Sequence, residues 1–322
     1  MRAYHIATPD AAPALQEIPR SSPAAGEIEL SIAACGLNFA DLLMIKREYQ
    51  DTPEAPFTLG MEVAGRVETL GPDTQGPPFG ARVAVFGGHG GLAEYGCFPA
   101  DRAVILPDTM DFTDAAAFQI AYGTSHVALE HSARLQPGET LLVLGAAGGV
   151  GLTAVEIGKL MGARVIACAR GADKLEVARK AGADHLIDTE RDDMRAICKD
   201  LGGVDVVYDP VGGDLFRAAM RACRPEARLL TIGFASGEVP QIPANHLLVK
   251  NLSVIGFYWG GYLKFRPEVV TDSLRTLFEW YAQGRLKPHV SHVLPLDRAE
   301  EALELLRSRR STGKVVVTPS AG

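Results

Sequence analysis

The sequence predicts an α/β chain in two parts, a doubly wound parallel-sheet domain and a β-rich domain that the end of the chain rejoins. Three observations carry this expectation. Glu139–Gly151 reads as an apolar strand entering a glycine-rich turn, followed by a helix-like stretch to Gly162 and a second apolar run, Ala163–Ala169, the order of a parallel crossover unit. Beyond it, short apolar runs alternate with helical periods, whereas residues 1 to about 115 alternate apolar and polar with period two and are dense in Pro and Gly. The length, 322 residues, exceeds what one core comfortably serves.

Taken in order, Glu27–Ala33, Met61–Thr69 and Ala81–Phe86 are the clear strands of the first part. Pro53, Pro56, Pro77, Pro78 and Pro107 punctuate the rest as loops, which suits a compact barrel or sandwich. Helical pattern begins near Thr113, with Asp111 or Thr113 as cap, and continues over Tyr122–His131. Strands are then predicted at Thr140–Leu144, Ala163–Ala169, His185–Asp188, Val204–Tyr208, Ala227–Ile232 and Leu252–Ile255. Helices at Lys174–Ala181, Asp192–Leu201 and Asp214–Cys223 alternate with them, and six strands is the number a full dinucleotide fold needs. A helix from Pro267 to Gln283, another capped by Asp297 and running to Arg309, and a strand over Gly313–Thr318 close the chain. The expected domains are 1–118, 119–262 and a return over 263–322.

Composition narrows the partners. Lys and Arg number 32 against 39 Asp and Glu, a net charge of −7 without blocks of like charge, so neither nucleic acid nor a membrane surface is expected. No apolar run reaches the length of a membrane-spanning helix. The start, Met1-Arg-Ala-Tyr-His-Ile, lacks a targeting pattern, so a cytoplasmic protein is expected. The five cysteines are scattered and form neither a C-x-x-C pair nor a disulfide framework.

The turn Ala147-Gly148-Gly149-Val150-Gly151 sits between strand and helix, where Gly148 admits a pyrophosphate to the backbone and Gly151 lets the helix close on the strand. The positive end of the helix then favours the anion. After the second strand, Arg170 and Lys174 offer cations to a 2′-phosphate, favouring NADP over NAD, while Asp173 reads as a helix N-cap. Two further strand ends, Tyr208–Gly213 and Gly233–Gly237, carry small residues where the ligand crevice of such a fold lies, or are ordinary turns.

Gly36-Leu-Asn-Phe-Ala-Asp41, Pro56–Gly65, Ala146–Gly151, Lys180–Ala183, Asp209–Gly212 and Gly313–Val315 together resemble the zinc-free NADPH:quinone oxidoreductase branch of the medium-chain dehydrogenase/reductase family, over essentially the whole chain. The resemblance implies a Rossmann domain plus a β-rich GroES-like catalytic domain. It also implies NADPH as cofactor, with Val211, Gly233, Phe234, Phe257 and Lys314 among its contacts, and the Asn38 amide and Tyr49 hydroxyl facing the nicotinamide pocket as catalytic donors to the acceptor, where the residues alone equally allow a turn residue and a loop anchor. A homodimer through the sheet edge near Leu252–Ile255 is implied as well.

Zinc-dependent relatives carry Cys and His where this chain has Asn38 and Met61, so no metal is expected. Without a Lewis acid the expected acceptors are already electron-poor, quinones first, with 2-alkenals or enoyl-thioesters as the alternative. A non-catalytic NADPH-binding protein is the alternative from another class. Asp41 is expected to be structural. His126 is expected to be a packed residue rather than a catalyst. Leu43 and Thr189 stand where some relatives have Tyr, which implies a more apolar pocket and a thinner phosphate clamp.

Overall fold

A computed structural model describes residues Met1–Pro319. By internal contact the chain forms two units, Met1–Ile120 with Pro288 onwards, and Ala121–Lys287. The first unit contains β1 (Arg2–Ile6), β2 (Ala14–Glu17), β3 (Glu27–Gly36), α1 (Phe39–Ile45), β4 (Phe57–Thr58), β5 (Glu62–Leu70), β6 (Arg82–Phe86), β7 (Tyr95–Pro99), β8 (Ala103–Ile105) and α2 (Phe112–Ala116). The helix α3 (Gln119–His126) leads into the second unit.

That unit is built from β9 (Thr140–Val143), α4 (Gly149–Leu160), β10 (Arg164–Ala169), α5 (Ala172–Lys180), β11 (His185–Asp188), α6 (Met194–Asp200), β12 (Val204–Asp209), α7 (Gly213–Ala222), β13 (Cys223–Thr231), α8 (Ala244–Lys250), β14 (Ser253–Gly256), α9 (Trp259–Phe265) and α10 (Pro267–Ala282). Finally β15 (Val290–Pro295), α11 (Ala299–Arg307) and β16 (Lys314–Thr318) return to the first unit.

The second unit's sheet runs β11-β10-β9-β12-β13-β14, with every pair parallel. Helices cover both faces of such a sheet, so its strands read as continuous apolar runs. Leu141, Leu142, Val143 and Leu144 are fully buried. On one face Leu142, Ile166, Ile187, Val207 and Leu229 join Phe216 and Met220 of α7 in a single core. The helix α4 is held from below by hydroxyls. The Ser125 hydroxyl donates to Val150 O at 2.9 Å and lies 3.0 Å from the Tyr208 hydroxyl, while Thr153 donates to Ala121 O at 3.0 Å.

In the first unit, β15-β16-β3-β5-β6-β8 form the main sheet with β7 paired to β3, and β2-β1-β4 form a smaller one. The strand β16 pairs with the end of β3, placing Val316 opposite Gly36.

The structure corrects the boundary expected at residue 263, because α10 packs within the second unit. Val270, Leu274, Leu277 and Phe278 are buried there, His126 Nδ1 lies 2.9 Å from Ser273 Oγ, and the His126 ring meets Trp280 edge-on at 5.3 Å. The return therefore begins at Pro288. His126 is accordingly a packed residue, and burial lowers its pKa. Among the described residues no helix is long and apolar enough to cross a membrane.

Candidate active site

In the second unit the C-terminal ends of β9, β12 and β13 gather the small residues singled out in the sequence. A Cβ placed on Gly151 would lie 2.2 Å from Gly145 O, so only glycine lets the first turn of α4 close onto the turn after β9. The chain then leaves the N–H groups of Gly149, Val150 and Gly151 at the positive end of a 12-residue helix, and Gly148 is exposed beside them. Val211 comes within 3.0 Å of a Cβ built on Gly145, and Phe234 within 3.3 Å of one built on Gly212. Gly145, Val211, Gly233 and Phe234 thus border the same strand ends. This cradle fits a dinucleotide pyrophosphate. Phe257 is instead buried, with its ring 5.7 Å from that of Tyr262.

The end of β10 differs in detail from expectation. The helix α5 starts at Ala172, its N-cap is Gly171 at φ +79°, and Asp173 sits inside the first turn rather than capping it. Arg170 pairs with Glu190 at 3.3 Å, both side chains being more than half exposed. Asp188 accepts the N–H groups of Gly171 and Glu190, each at 3.1 Å, and these bonds hold its carboxyl below the ordinary range.

A second polar cluster is buried in the first unit. Lys314 Nζ donates to Leu37 O, Asn38 Oδ1 and Glu62 Oε1, each at 2.7 Å. Asn38 Nδ2 donates to the same Glu62 oxygen at 3.0 Å and to Gly36 O at 3.3 Å. The other Glu62 oxygen accepts the Ile120 N–H at 2.9 Å. The Lys314 and Glu62 side chains are 7% and 1% exposed, so their pairing is what makes burial tolerable. The resemblance places Lys314 among the cofactor contacts; all three of its protons are committed inside the first unit, which leaves none for a phosphate. Asn38 is present at the cluster, but both of its amide protons are committed to protein oxygens. Tyr49 lies in the turn after α1, half-buried, and its carbonyl accepts the Thr52 hydroxyl at 2.6 Å.

Asp41 is fully buried under the cluster, accepting the Asn38 N–H at 2.8 Å and the Gly60 N–H at 3.2 Å. Burial outweighs these bonds and pushes its pKa up from 3.8 to about 6. Folding therefore favours its protonated form. That contribution is fully present below the unfolded pKa and is lost as pH rises through about 6. Relative to Asp41→Asn, wild-type unfolding free energy is expected to fall by about 2 kcal/mol between pH 4 and pH 7. Urea unfolding at a series of pH values measures this, and a pH-independent difference would refute it.

Over residues 24–108 the chain matches the alcohol dehydrogenase GroES-like domain, and over residues 149–279 the zinc-binding dehydrogenase domain. It is 39% identical over 297 residues to a quinone oxidoreductase-like protein 2 homolog of Nematostella vectensis, covering 90% of this chain and 81% of that one. The chain belongs to the quinone oxidoreductase-like members of the medium-chain dehydrogenase/reductase family. Structures of the quinone oxidoreductase of Thermus thermophilus, solved alone and with NADPH, are similar with a TM-score of 0.88 at 33% identity, over 99% of this chain and 100% of that one. The Escherichia coli quinone oxidoreductase complexed with NADPH is similar with a TM-score of 0.89 at 30% identity, over 99% of both chains.

The name of the matched domain raises zinc, and the donor set answers it. An amide (Asn38), a thioether (Met61) and a carboxylate already bonded to an ammonium (Glu62) do not fit a catalytic zinc ion. Among the described residues, no group of three His, Cys, Asp or Glu is placed to hold a metal.

Proposed function

We propose that this oxidoreductase reduces quinones with NADPH, by hydride transfer and without a metal. The observation that supports the reading is the open glycine-turn cradle at the start of α4, and the first unit separately buries a polar cluster without thiolate or imidazole. Bound NADPH supplies the hydride, and one hydride plus one proton convert a quinone to a hydroquinone. The residues of the chain do the rest. The N–H groups at the start of α4 bind the pyrophosphate, and Arg170 and Lys174 give their charge to the 2′-phosphate. The conjugation of the acceptor stabilises the developing oxyanion, so neutral donors suffice. The similar structures solved with NADPH support both the cofactor and the acceptor class.

The test is NADPH and NADH oxidation followed at 340 nm against quinones, 2-alkenals and enoyl-CoAs. Quinone-dependent NADPH oxidation is expected. Turnover with enones alone would replace the substrate class, and cofactor binding without any turnover would sink the enzymatic reading. Glu190 competes with a 2′-phosphate for Arg170, so Glu190→Gln should lower the KM for NADPH about threefold and leave that for NADH unchanged, a modest effect because the pair is solvent-screened.

The assembly proposed is a homodimer through β14. This strand is the edge of its sheet, and the preceding helix α8 exposes Leu248 and Val249 at 78% and 74%, a combination that invites strand pairing with a second copy. Sedimentation should give a dimer for wild type and a monomer for Leu248→Glu/Val249→Glu; a monomeric wild type would contradict it.

A further inference from the structure

We propose that Gln119 is the amide donor to the carbonyl oxygen of the acceptor, a role that rests on the quinone-reductase reading above. Gln119 opens α3 and is 2% exposed, yet its Nε2 has no hydrogen-bond partner among the described residues. A buried amide donor left unpaired costs about 1–3 kcal/mol, and folded proteins retain few of them. The flanking Phe118 and Ile120 are apolar, so the amide stands in an otherwise apolar stretch.

Its position ties it to the polar cluster. The next residue, Ile120, donates its N–H to Glu62 at 2.9 Å, and the same carboxylate holds Asn38 and Lys314. The backbone of Gln119 is therefore fixed one residue from the Asn38–Glu62–Lys314 network. Within that network no donor is left to offer. The three Lys314 protons and both Asn38 amide protons already have acceptors. Gln119 Nε2, one residue away, is a donor without a partner among the described residues. An amide is neutral and does not titrate near neutral pH, so it supplies a dipole without opposing the arriving hydride. A preformed donor aimed at a developing oxyanion gains strength as the negative charge grows.

The proposal makes an unusual pair of demands on one substitution. Gln119→Met keeps the shape and deletes the amide. If the amide is an unpaired buried group awaiting an acceptor, its removal leaves the Tm unchanged or raises it. If the amide binds the carbonyl oxygen, kcat/KM for the quinone falls about 10–100-fold while the KM for NADPH stays put. Both results are expected together. Gln119→Leu repeats the deletion in a second shape. Full activity with a raised Tm would show an amide with no role in the reaction, and a lowered Tm or failure to fold in both variants would show a structural one; either overturns the proposal. A wild-type protein that reduces no quinone would fail the functional reading itself, which is distinguishable because it needs no variant.

Discussion

Lys314→Met should lower the folding stability of the protein by about 3–5 kcal/mol, the cost of leaving a buried charge without its partner. The ammonium makes three hydrogen bonds of 2.7 Å, one of them to Glu62, whose side chain is 1% exposed. Without it the carboxylate keeps only the Asn38 amide and the Ile120 N–H. The expected signature lies in the double-mutant cycle. Glu62→Leu alone strands the ammonium and should also be severe, whereas the combined Lys314→Met/Glu62→Leu variant should recover much of the loss, because two apolar groups replace two buried charges. Urea unfolding of the four proteins measures the coupling. A loss below about 1 kcal/mol for Lys314→Met, the value of an exposed pair, would show that the pair is solvated in solution.

Gly151→Ala should raise the Kd for NADPH about 10²-fold, the penalty attached to displacing binding groups by an ångström or so. The added Cβ would meet Gly145 O at 2.2 Å and Gly145 C at 2.8 Å, both backbone atoms that cannot swing aside. The start of α4 must move off the turn, and the N–H groups of residues 149–151 move with it. Thermal stability should fall as well, since the separation opens the junction of β9 and α4. Fluorescence titration of NADPH with a parallel thermal scan would measure both, and unchanged affinity would remove the glycine turn from the cofactor site.

The parallel-sheet half was legible in the sequence because strands buried on both faces announce themselves as apolar runs. The limits of His185–Asp188 coincide in sequence and structure, and the other five strands come within a few residues of theirs. Helix starts were less legible where no side chain caps them. At α5 the N-cap is the positive-φ Gly171, two residues before the Asp173 that the sequence offered, and no side chain caps the helix. The helix from Pro267 was legible as a helix, but the sequence assigned it to the returning segment rather than to the second unit.

In the candidate site the Asn38 position was legible, whereas its commitments were not. Lys314 was singled out through Gly313–Val315 as a cofactor contact, and its buried ion pair left no mark on the sequence around it. Its partner Glu62 lies 252 positions away, a separation across which no local pattern carries information. Gln119 left a faint trace, a single amide between apolar neighbours at the start of a helix.

The way β16 closes the first unit also orders events during synthesis. Asn38 and Glu62 leave the ribosome long before their counter-ion, which follows Glu62 by 252 positions. The second unit, Ala121–Lys287, is one continuous stretch and has all of its sheet strands before that lysine is made. The nascent first unit must therefore hold an uncompensated carboxylate open to water while the whole of the second unit is translated, and its interior can dry only after β16 arrives.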